Sequence, residues 1–270
     1  MERATPMSET YEIFAVRYGH HDRNAADNFI GGDPHNGPMP LDYFVWAIVG
    51  KQRTFIMDTG FDQATGNRRK RTLLRPVCEG LKAIGIEPET VKDVIISHMH
   101  FDHAGNHTAF PQARYHLQEA EMAYCTGRCM CHGVLRAPYD VQDVSAMVTK
   151  LFEGRLSFHD GSSELAENLT VHRVGGHSRG LQIARVLTKR GWVVLGSDAA
   201  HFYANFEQSR PFPIVDSVAD MLEGYATMKK LASSPRHIIP GHDPLVLTRY
   251  PAVNAQLDDI VRLDIEPIES

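Results

Sequence analysis

The segment Ser97–Gly105 constrains this chain more than any other. Within six positions it carries four side chains of the kinds that bind metal ions, at His98, His100, Asp102 and His103. The apolar residues 94–96 predict a short buried strand, so the cluster follows a strand end. Because side chains at i and i+2 of an extended chain point the same way, His98 and His100 can bind one cation together.

A turn after His100 would carry Asp102 and His103 to a second position, and Gly105 suits a tight backbone there. Imidazole nitrogens with a carboxylate suit a borderline divalent metal. These ligands are too many for one open catalytic site and too few for two closed ones, so we expect further ligands later in the chain. The alternative is a polar loop with capping histidines. The density of ligand-type residues directly after an apolar strand argues against it.

Three later segments each place a ligand-type residue where an apolar strand meets a glycine-rich loop. These residues are His177 within 174–180, Asp198 at the end of 195–198 and His242 within 239–243. Each is weak evidence alone, because a single His or Asp at a strand end is more often structural. Asp58 leaves the predicted strand 54–57 beside Gly60, a position from which a carboxylate often supports an active site.

The pattern His98-x-His100-x-Asp102-His103 resembles the signature of the metallo-β-lactamase superfamily of hydrolases. The three later segments match the remaining motifs of that family in order, so the resemblance covers roughly residues 40–245. It implies an α/β fold, the four-layer αββα sandwich, with the site at one edge. We expect one domain over residues 1–270, with a loose tail at 1–10. We expect residues 119–152, where the family varies most, to wall the substrate pocket.

The resemblance also implies two metal sites joined by a shared carboxylate. One site would use His98, His100 and His177, the other Asp102, His103 and His242, and Asp198 would bridge the two. Asp58 is expected to orient ligands without binding metal. Zinc is the first choice of cation because it tolerates low and variable coordination, with Mn, Fe or Co as alternatives.

Within the superfamily, the chain most resembles the N-acyl homoserine lactonase branch. The shared features are Leu41-x-x-Phe44, Met57–Gly60, Ser97–Gly105 and Gly241–Asp243. Two positions depart from that branch. His201 stands three residues after Asp198, where those lactonases usually carry a Tyr that assists the substrate carbonyl, and Tyr203 is two positions off register. Arg179 stands where Pro is common.

The resemblance predicts a metal-dependent hydrolase that opens a lactone ring by means of a metal-bridging hydroxide. Asp102 would pass a proton to the leaving oxygen. His201 either donates a hydrogen bond in place of the usual Tyr or reflects a different substrate. A phosphotriesterase or a thioesterase would use the same metals. The alternative from another class is a non-catalytic protein that binds a metal or a ligand. Metal content would distinguish it from the hydrolase, because a binding protein need not hold two ions per chain.

The amino-acid composition and net charge limit the classes of molecule that the protein is expected to bind. Of the 270 residues, 43% are hydrophobic and 23% charged, which is ordinary for a globular chain with a real core. The net charge of −5 disfavours a nucleic-acid partner. The basic run Arg68–Arg71 is expected to be a solvated helix start. We expect a small-molecule ester or lactone substrate and no membrane partner, and a homodimer remains open.

The four cysteines do not form a disulfide framework by their spacing, so we expect reduced thiols and a cytoplasmic protein without a signal peptide. Cys125, Cys129 and Cys131 are interpreted as thiols near a pocket wall. Elsewhere, periodicity predicts a loop at 20–40 and an irregular segment at 125–139, with a helical or loose tail after 243. Strands are expected at 11–18, 42–49, 54–57, 113–117, 158–160, 169–174, 182–187, 192–196 and 237–239. Helices are expected at 73–84, 119–124, 140–152 and from Asp216 or Ser217 to Leu231.

Overall fold

Two β-sheets form the centre of the structure, a computed structural model that describes residues 8–268. The strands are β1 (Glu12–His21), β2 (Leu41–Val49), β3 (Thr54–Met57), β4 (Thr72–Leu73), β5 (Asp93–Ile95), β6 (Arg114–Gln118), β7 (Leu156–His159), β8 (Ser162–Ala166), β9 (Leu169–Arg173), β10 (Gln182–Thr188), β11 (Gly191–Leu195), β12 (Ile238–Ile239) and β13 (Ile260–Arg262). The first sheet has the order β13-β1-β2-β3-β5-β6-β7, with β4 paired to β1, and the second has the order β12-β11-β10-β9-β8.

Helices cover the sheets on their outer faces. The α-helices are α1 (Gln63–Arg69), α2 (Val77–Ala83), α3 (Phe101–Ala104), α4 (Glu119–Cys125), α5 (Gly133–Arg136), α6 (Val141–Phe152), α7 (Tyr203–Glu207), α8 (Val218–Leu231) and α9 (Leu245–Arg249). Short 3-10 turns occupy Ala25–Asn28, Pro88–Thr90, His107–Ala109, Arg128–Cys131, Ser197–Ala199 and Pro235–His237.

Strand β2 shows how the layers arise from the sequence. Alternate side chains of a strand face opposite sides of the sheet, and β2 is buried on both. Phe44 and Trp46 pack in a core shared with Ile183 of the second sheet, whereas Tyr43 and Val45 pack in a core shared with helices α2 and α6. Helix α8 packs against β11 on the far side. The predicted four-layer αββα sandwich is confirmed.

Most predicted elements are present, and several boundaries differ. The helix expected at 73–84 begins only at Val77, since Leu73 lies in β4 and Pro76 caps the helix. Proline lacks an N–H and restricts the residue before it, which favours this later start. Gly85, at φ +78°, follows the helix end. Ser217 caps α8 with its side chain, as predicted.

Other expectations are wrong. Strand β8 was not predicted, and the supposed tail contains β13, which pairs antiparallel with β1 through Ala15 and Val261. His20 and His21 end β1 and do not lie in the following loop. Arg68 and Arg69 were expected at a helix start, but they lie at the carboxyl end of α1. At that end their positive charge complements the helix dipole.

Some expectations stay open. Most of the predicted tail at 1–10 lies outside the described residues, and the single-domain organisation stays a prediction. The irregular segment 125–139 contains the 3-10 turn 128–131 and the one-turn helix α5. Within residues 8–268, no helix is both long enough and apolar enough to cross a bilayer.

Candidate metal centre

The candidate ligands meet at the edge where several strands end. His98 and His100 follow β5, with α3 beginning directly after His100 so that Asp102 and His103 lie in its single turn. Asp198 follows β11, His242 follows β12, and His177 lies in the loop between β9 and β10. All seven side chains are buried. The structure therefore brings together every residue that the resemblance implied as a ligand.

The first group contains His98, His100, His177 and Asp198, with one ligand atom from each lying within 4.8 Å of the others. His177 Nε2 is 2.9 Å from His100 Nδ1 and 3.1 Å from Asp198 Oδ2. His98 Nε2 is 3.8 Å from the same carboxylate oxygen. Three imidazole nitrogens and one carboxylate oxygen thus surround one point.

The second group contains Asp102, His103 and His242, again within 4.8 Å of one another. Asp102 Oδ2 is 3.6 Å from His103 Nε2 and 3.8 Å from His242 Nε2. The other oxygen of Asp198, Oδ1, is 3.2 Å from His103 Nε2 and 2.9 Å from His242 Nε2. The two oxygens of Asp198 therefore face different groups.

Several buried polar atoms at this centre lack hydrogen bonds. Within residues 8–268 they include His98 Nε2, His103 Nε2 and Asp198 Oδ1. Leaving a buried polar atom without a partner costs about 1–3 kcal/mol. A divalent cation in each group would give these atoms partners, and the donor set of imidazoles and carboxylates suits such ions. The residues present therefore fit metal ions.

Hydrogen bonds behind the centre turn the Nε2 atoms of four imidazoles inward. The Nδ1 atom of His98 is 3.1 Å from Ser97 Oγ, and that of His103 is 2.7 Å from Asp58 Oδ2. The Nδ1 atom of His177 is 2.7 Å from the backbone oxygen of Ile214, and that of His242 is 2.9 Å from the backbone oxygen of Asp42. A carbonyl or carboxylate at Nδ1 fixes the tautomer that leaves Nε2 free to bind a cation.

Electrostatics favour the metal-binding forms of His98, His100 and Asp198, but not that of His103. Burial, with the neighbouring histidines, holds the pKa of His98 and of His100 well below the ordinary value, so both are neutral. Burial alone would raise the pKa of Asp198, but the surrounding histidines, led by His201 and His242, lower it far below the ordinary value. For His103, burial is outweighed by nearby carboxylates, above all Asp198, which raise its pKa. Metal binding at His103 would therefore release a proton.

Asp58 lies behind the centre, completely buried, outside both groups. Its Oδ1 accepts the backbone N–H of Ser97 at 2.7 Å, and its Oδ2 accepts the Ser97 hydroxyl at 2.8 Å. The residue adopts a left-handed conformation with φ +65°. It thus connects the end of β3 to both Ser97 and His103.

His201 lies beside Asp198, with Nε2 3.1 Å from Asp198 Oδ2. Its ring stacks on Phe212 with centroids 3.6 Å apart. Burial lowers the pKa of His201 to about 3, so the imidazole is neutral. Tyr203 is the nearest tyrosine to the position where the resembled lactonases carry one. It packs in the core against Phe206 and lines neither of the two cavities at the centre.

A cavity of about 290 Å³ opens beside the first group. Its lining includes His100, His177 and residues of the predicted pocket wall, namely Tyr124, Val134, Leu135, Ala137 and Pro138. A smaller cavity of about 40 Å³ continues to Asp102, Asp198, His201 and His242. The thiols of the nearby Cys125, Cys129 and Cys131 are free, and no cysteine joins a metal-binding group within residues 8–268.

Two residues beside the centre escaped the sequence analysis. Glu121 of α4 is completely buried and accepts four hydrogen bonds, from Met99 N (2.9 Å), Tyr139 Oη (3.1 Å), Ser178 Oγ (2.7 Å) and Gly180 N (3.0 Å). Burial raises its pKa, and these donors offset part of that rise. Tyr43 packs edge-on against His242. Glu121 stands in no motif, and Tyr43 occupies an unspecified position of Leu41-x-x-Phe44, so the sequence offered no signal for either.

The fold and the candidate metal centre together define the protein superfamily to which this chain belongs. Residues 39–248 match the model of the family described as the metallo-beta-lactamase superfamily, and this chain belongs to that superfamily. The seven residues of the two groups are those that the predicted motifs carried, and His201 forms a further group with Asp198 and His242.

Curated relatives narrow the class to one branch. The chain is 29% identical to the N-acyl homoserine lactonase AiiA of Bacillus thuringiensis subsp. kurstaki, over 76% of this chain and 82% of the relative. It is 30% identical to the N-acyl homoserine lactonase AttM of Azorhizobium caulinodans, over 61% and 62%, and 29% identical to that of Bacillus cereus, over 60% of each. These relatives confirm the predicted resemblance to the lactonase branch. They also confirm the predicted enzyme class, a metal-dependent hydrolase acting on ester bonds.

Solved structures agree on the fold. A quorum-quenching N-acyl homoserine lactone lactonase superposes with a TM-score of 0.73 at 22% identity, covering 88% of this chain and 95% of the other. An N-acyl homoserine lactone hydrolase with N-hexanoyl-L-homoserine bound at its catalytic metal centre gives a TM-score of 0.72 at 20% identity, covering 89% and 96%.

Proposed function

We propose that this protein opens a lactone ring, of an N-acyl homoserine lactone or a related lactone, with two divalent cations. Zinc is the first choice, and Mn, Fe or Co are the alternatives. One observation carries the proposal. The two oxygens of Asp198 face two separate histidine groups, 3.1 Å from His177 Nε2 and 2.9 Å from His242 Nε2. A carboxylate with one oxygen toward each group can be shared by two neighbouring cations of a two-metal site.

Each group supplies the ligands of one cation. His98, His100 and His177 would hold the first, Asp102, His103 and His242 the second, and Asp198 would bind both. Cations held there would lower the pKa of a bound water to about 7 and polarise the ester carbonyl. Asp58 would orient His103 through the 2.7 Å hydrogen bond between Oδ2 and Nδ1.

Two side chains face the reacting ester in this proposal. Asp102 lines the small cavity, where it would take up the proton of the attacking water and pass it to the leaving alkoxide as the ring opens. His201 lines the same cavity and is neutral at physiological pH. We assign it to the position beside the carbonyl, where the resembled lactonases usually carry a Tyr.

The larger cavity favours an ester with a modest apolar substituent. Its walls include Phe101, Pro138 and Ile214, and its volume of about 290 Å³ lies at the small end of ligand pockets. A phosphotriesterase needs a roomier pocket, so that alternative is less favoured, and a thioester remains to be compared. The homodimer and the cytoplasmic location stay predictions.

The test is acid release by the zinc-loaded protein. The substrates are acyl homoserine lactones, other aliphatic and aromatic lactones, a thioester and a phosphotriester. We expect lactone opening in the native chain and its loss in Asp102→Ala, while the exposed variant Asp22→Asn keeps the native rate. Turnover of the thioester or phosphotriester without lactone opening would contradict the proposed substrate. Full activity of Asp102→Ala would contradict the proposed role of Asp102.

A further inference from the structure

Two arginines line the small cavity that holds the metal centre. Arg23 and Arg71 border it together with Asp102, Asp198 and His242. Arg71 also lines the larger cavity. Arg71 is therefore among the residues that border both cavities, together with His100, Phe101, Pro138, His177 and Ile214.

Neither arginine has an acidic partner in the part of the chain that the structure describes. Arg23 Nε donates to the amide oxygen of Asn28 at 2.7 Å, and Arg71 Nη1 donates to the backbone oxygen of Arg69 at 2.7 Å. Arg71 Nε is buried without a hydrogen bond. By contrast, the neighbouring Arg68 and Arg69 both pair with Asp140, at 2.5 and 2.7 Å.

The positive charges here act on one another. Burial chiefly lowers the pKa of Arg23, and Arg71 lowers it further, although Asp27 opposes the shift. Burial, then Arg71 and Arg23, lower the pKa of His21 to about 4, and Asp22 opposes them only in part. Both guanidinium groups carry a positive charge at ordinary pH, and both lie beside the metal centre. An anionic ligand would relieve this repulsion.

Resting on the proposed function, we propose that the lactone or ester substrate carries a carboxylate that binds Arg71 and Arg23 while its ester group lies at the metal centre. The planar guanidinium fork matches a carboxylate, often through two parallel hydrogen bonds. The larger cavity would take the apolar part of the same molecule. The preferred substrate is therefore an anionic lactone and not a neutral one.

A matched pair of substrates isolates the charge. N-succinyl homoserine lactone carries a terminal carboxylate, and N-succinamoyl homoserine lactone replaces it with a neutral amide of similar shape. For the zinc-loaded native protein, we expect kcat/KM to be about tenfold to hundredfold higher for the acid, the range of a charge-assisted hydrogen bond.

Variants locate the effect. We expect Arg71→Gln to bring the acid-to-amide ratio close to one, Arg23→Gln to lower it, and Arg71→Lys to leave an intermediate ratio, because lysine keeps the charge without the fork. Lys70→Gln is the control, since Lys70 is exposed, adjacent in sequence and lines neither cavity. Equal kcat/KM for the acid and the amide, or a native ratio in Arg71→Gln with a native melting temperature, would overturn the inference.

A binding measurement separates this inference from the proposed function. Calorimetric titration of the zinc-loaded protein with succinate requires no turnover. We expect Arg71→Gln to bind succinate about tenfold more weakly than the native protein and Lys70→Gln. Equal affinity in all three would overturn the anion site. If no lactone is opened but succinate binding depends on Arg71, the proposed function fails and the anion site stands.

Discussion

Asp58 Oδ2 lies 2.7 Å from His103 Nδ1, and the same carboxylate accepts the backbone N–H of Ser97. One side chain at the end of β3 therefore fixes both the ring of a candidate ligand and the start of the segment that carries three others. The carboxylate also stabilises the His103 ring tautomer whose Nε2 faces the second group.

Replacing Asp58 with Asn tests this link. Asn tolerates the left-handed backbone that Asp58 adopts at φ +65°, so the change alters charge with little strain. We expect the affinity for the cation of the second group to fall about tenfold to hundredfold, measured by competition with a chelator. Asp22→Asn, at an exposed site, is the control. Native affinity in Asp58→Asn would show that the carboxylate does not support His103.

Glu121 is expected to hold two loops of the centre in place. Its four donors come from Met99, between His98 and His100, from Ser178 and Gly180 beside His177, and from Tyr139. In Glu121→Gln, the amide NH₂ would face two of these donors. We expect the free energy of unfolding to fall by about 1–3 kcal/mol in chemical denaturation.

The matched control for Glu121 is Glu119→Gln, an exposed position on the same helix. It should change stability by less than about 0.5 kcal/mol. We also expect Glu121→Gln to lower kcat, because Met99 and Ser178 are adjacent to candidate ligands. Native stability of Glu121→Gln would mean that water replaces the lost acceptor.

Asp143 on α6 predicts a pH-dependent stability. Burial, then Asp140 and Asp62, raise its pKa from 3.8 to about 6. A raised folded-state pKa means that the protonated form favours the fold. Its contribution is complete below pH 3.8 and is lost as the pH rises through about 6.

Asp143→Asn should therefore match the native protein near pH 4 and exceed its unfolding free energy above pH 6. We expect a gain of about 1–2 kcal/mol, since the carboxyl is partly exposed. Urea denaturation of both proteins across pH 4–8 measures the difference, with the exposed variant Asp160→Asn as the charge control. A difference that does not change with pH would contradict the account.

His201 separates two ways of assisting the ester. If its imidazole takes the place of the usual Tyr, His201→Phe should lower kcat about a hundredfold to a thousandfold, the cost of one catalytic hydrogen-bond donor. His201→Tyr should recover most of that loss because it restores a hydroxyl. Metal content should stay native in both. Loss of a cation in His201→Phe would instead make His201 a ligand alongside Asp198, 3.1 Å away.

The centre was predictable because each ligand follows a local pattern. An apolar run sets a strand, and the strand end sets where His98, Asp198 and His242 emerge. The sequence does not encode the distances between these ends. The family resemblance supplied the pairing of His177 with His98 and His100, and the structure now places all three together.

The unpredicted features depend on contacts between distant segments. Glu121 meets Ser178 across 57 positions, and no local pattern marks it among 33 acidic residues. Strand β13 has three residues and exists by pairing with β1, about 245 positions earlier, as with Ala15 and Val261. Strand β8 is largely polar and half-exposed, so its periodicity is weak.

The central claim is that Asp198 lies between two cations. Metal content per chain, measured by mass spectrometry after dialysis, tests it most directly in the native protein, His177→Ala and His242→Ala. We predict two equivalents in the native chain and one in each variant, with the first group emptied in His177→Ala and the second in His242→Ala. One equivalent in the native chain would contradict the claim. Native metal content in either variant would contradict it as well.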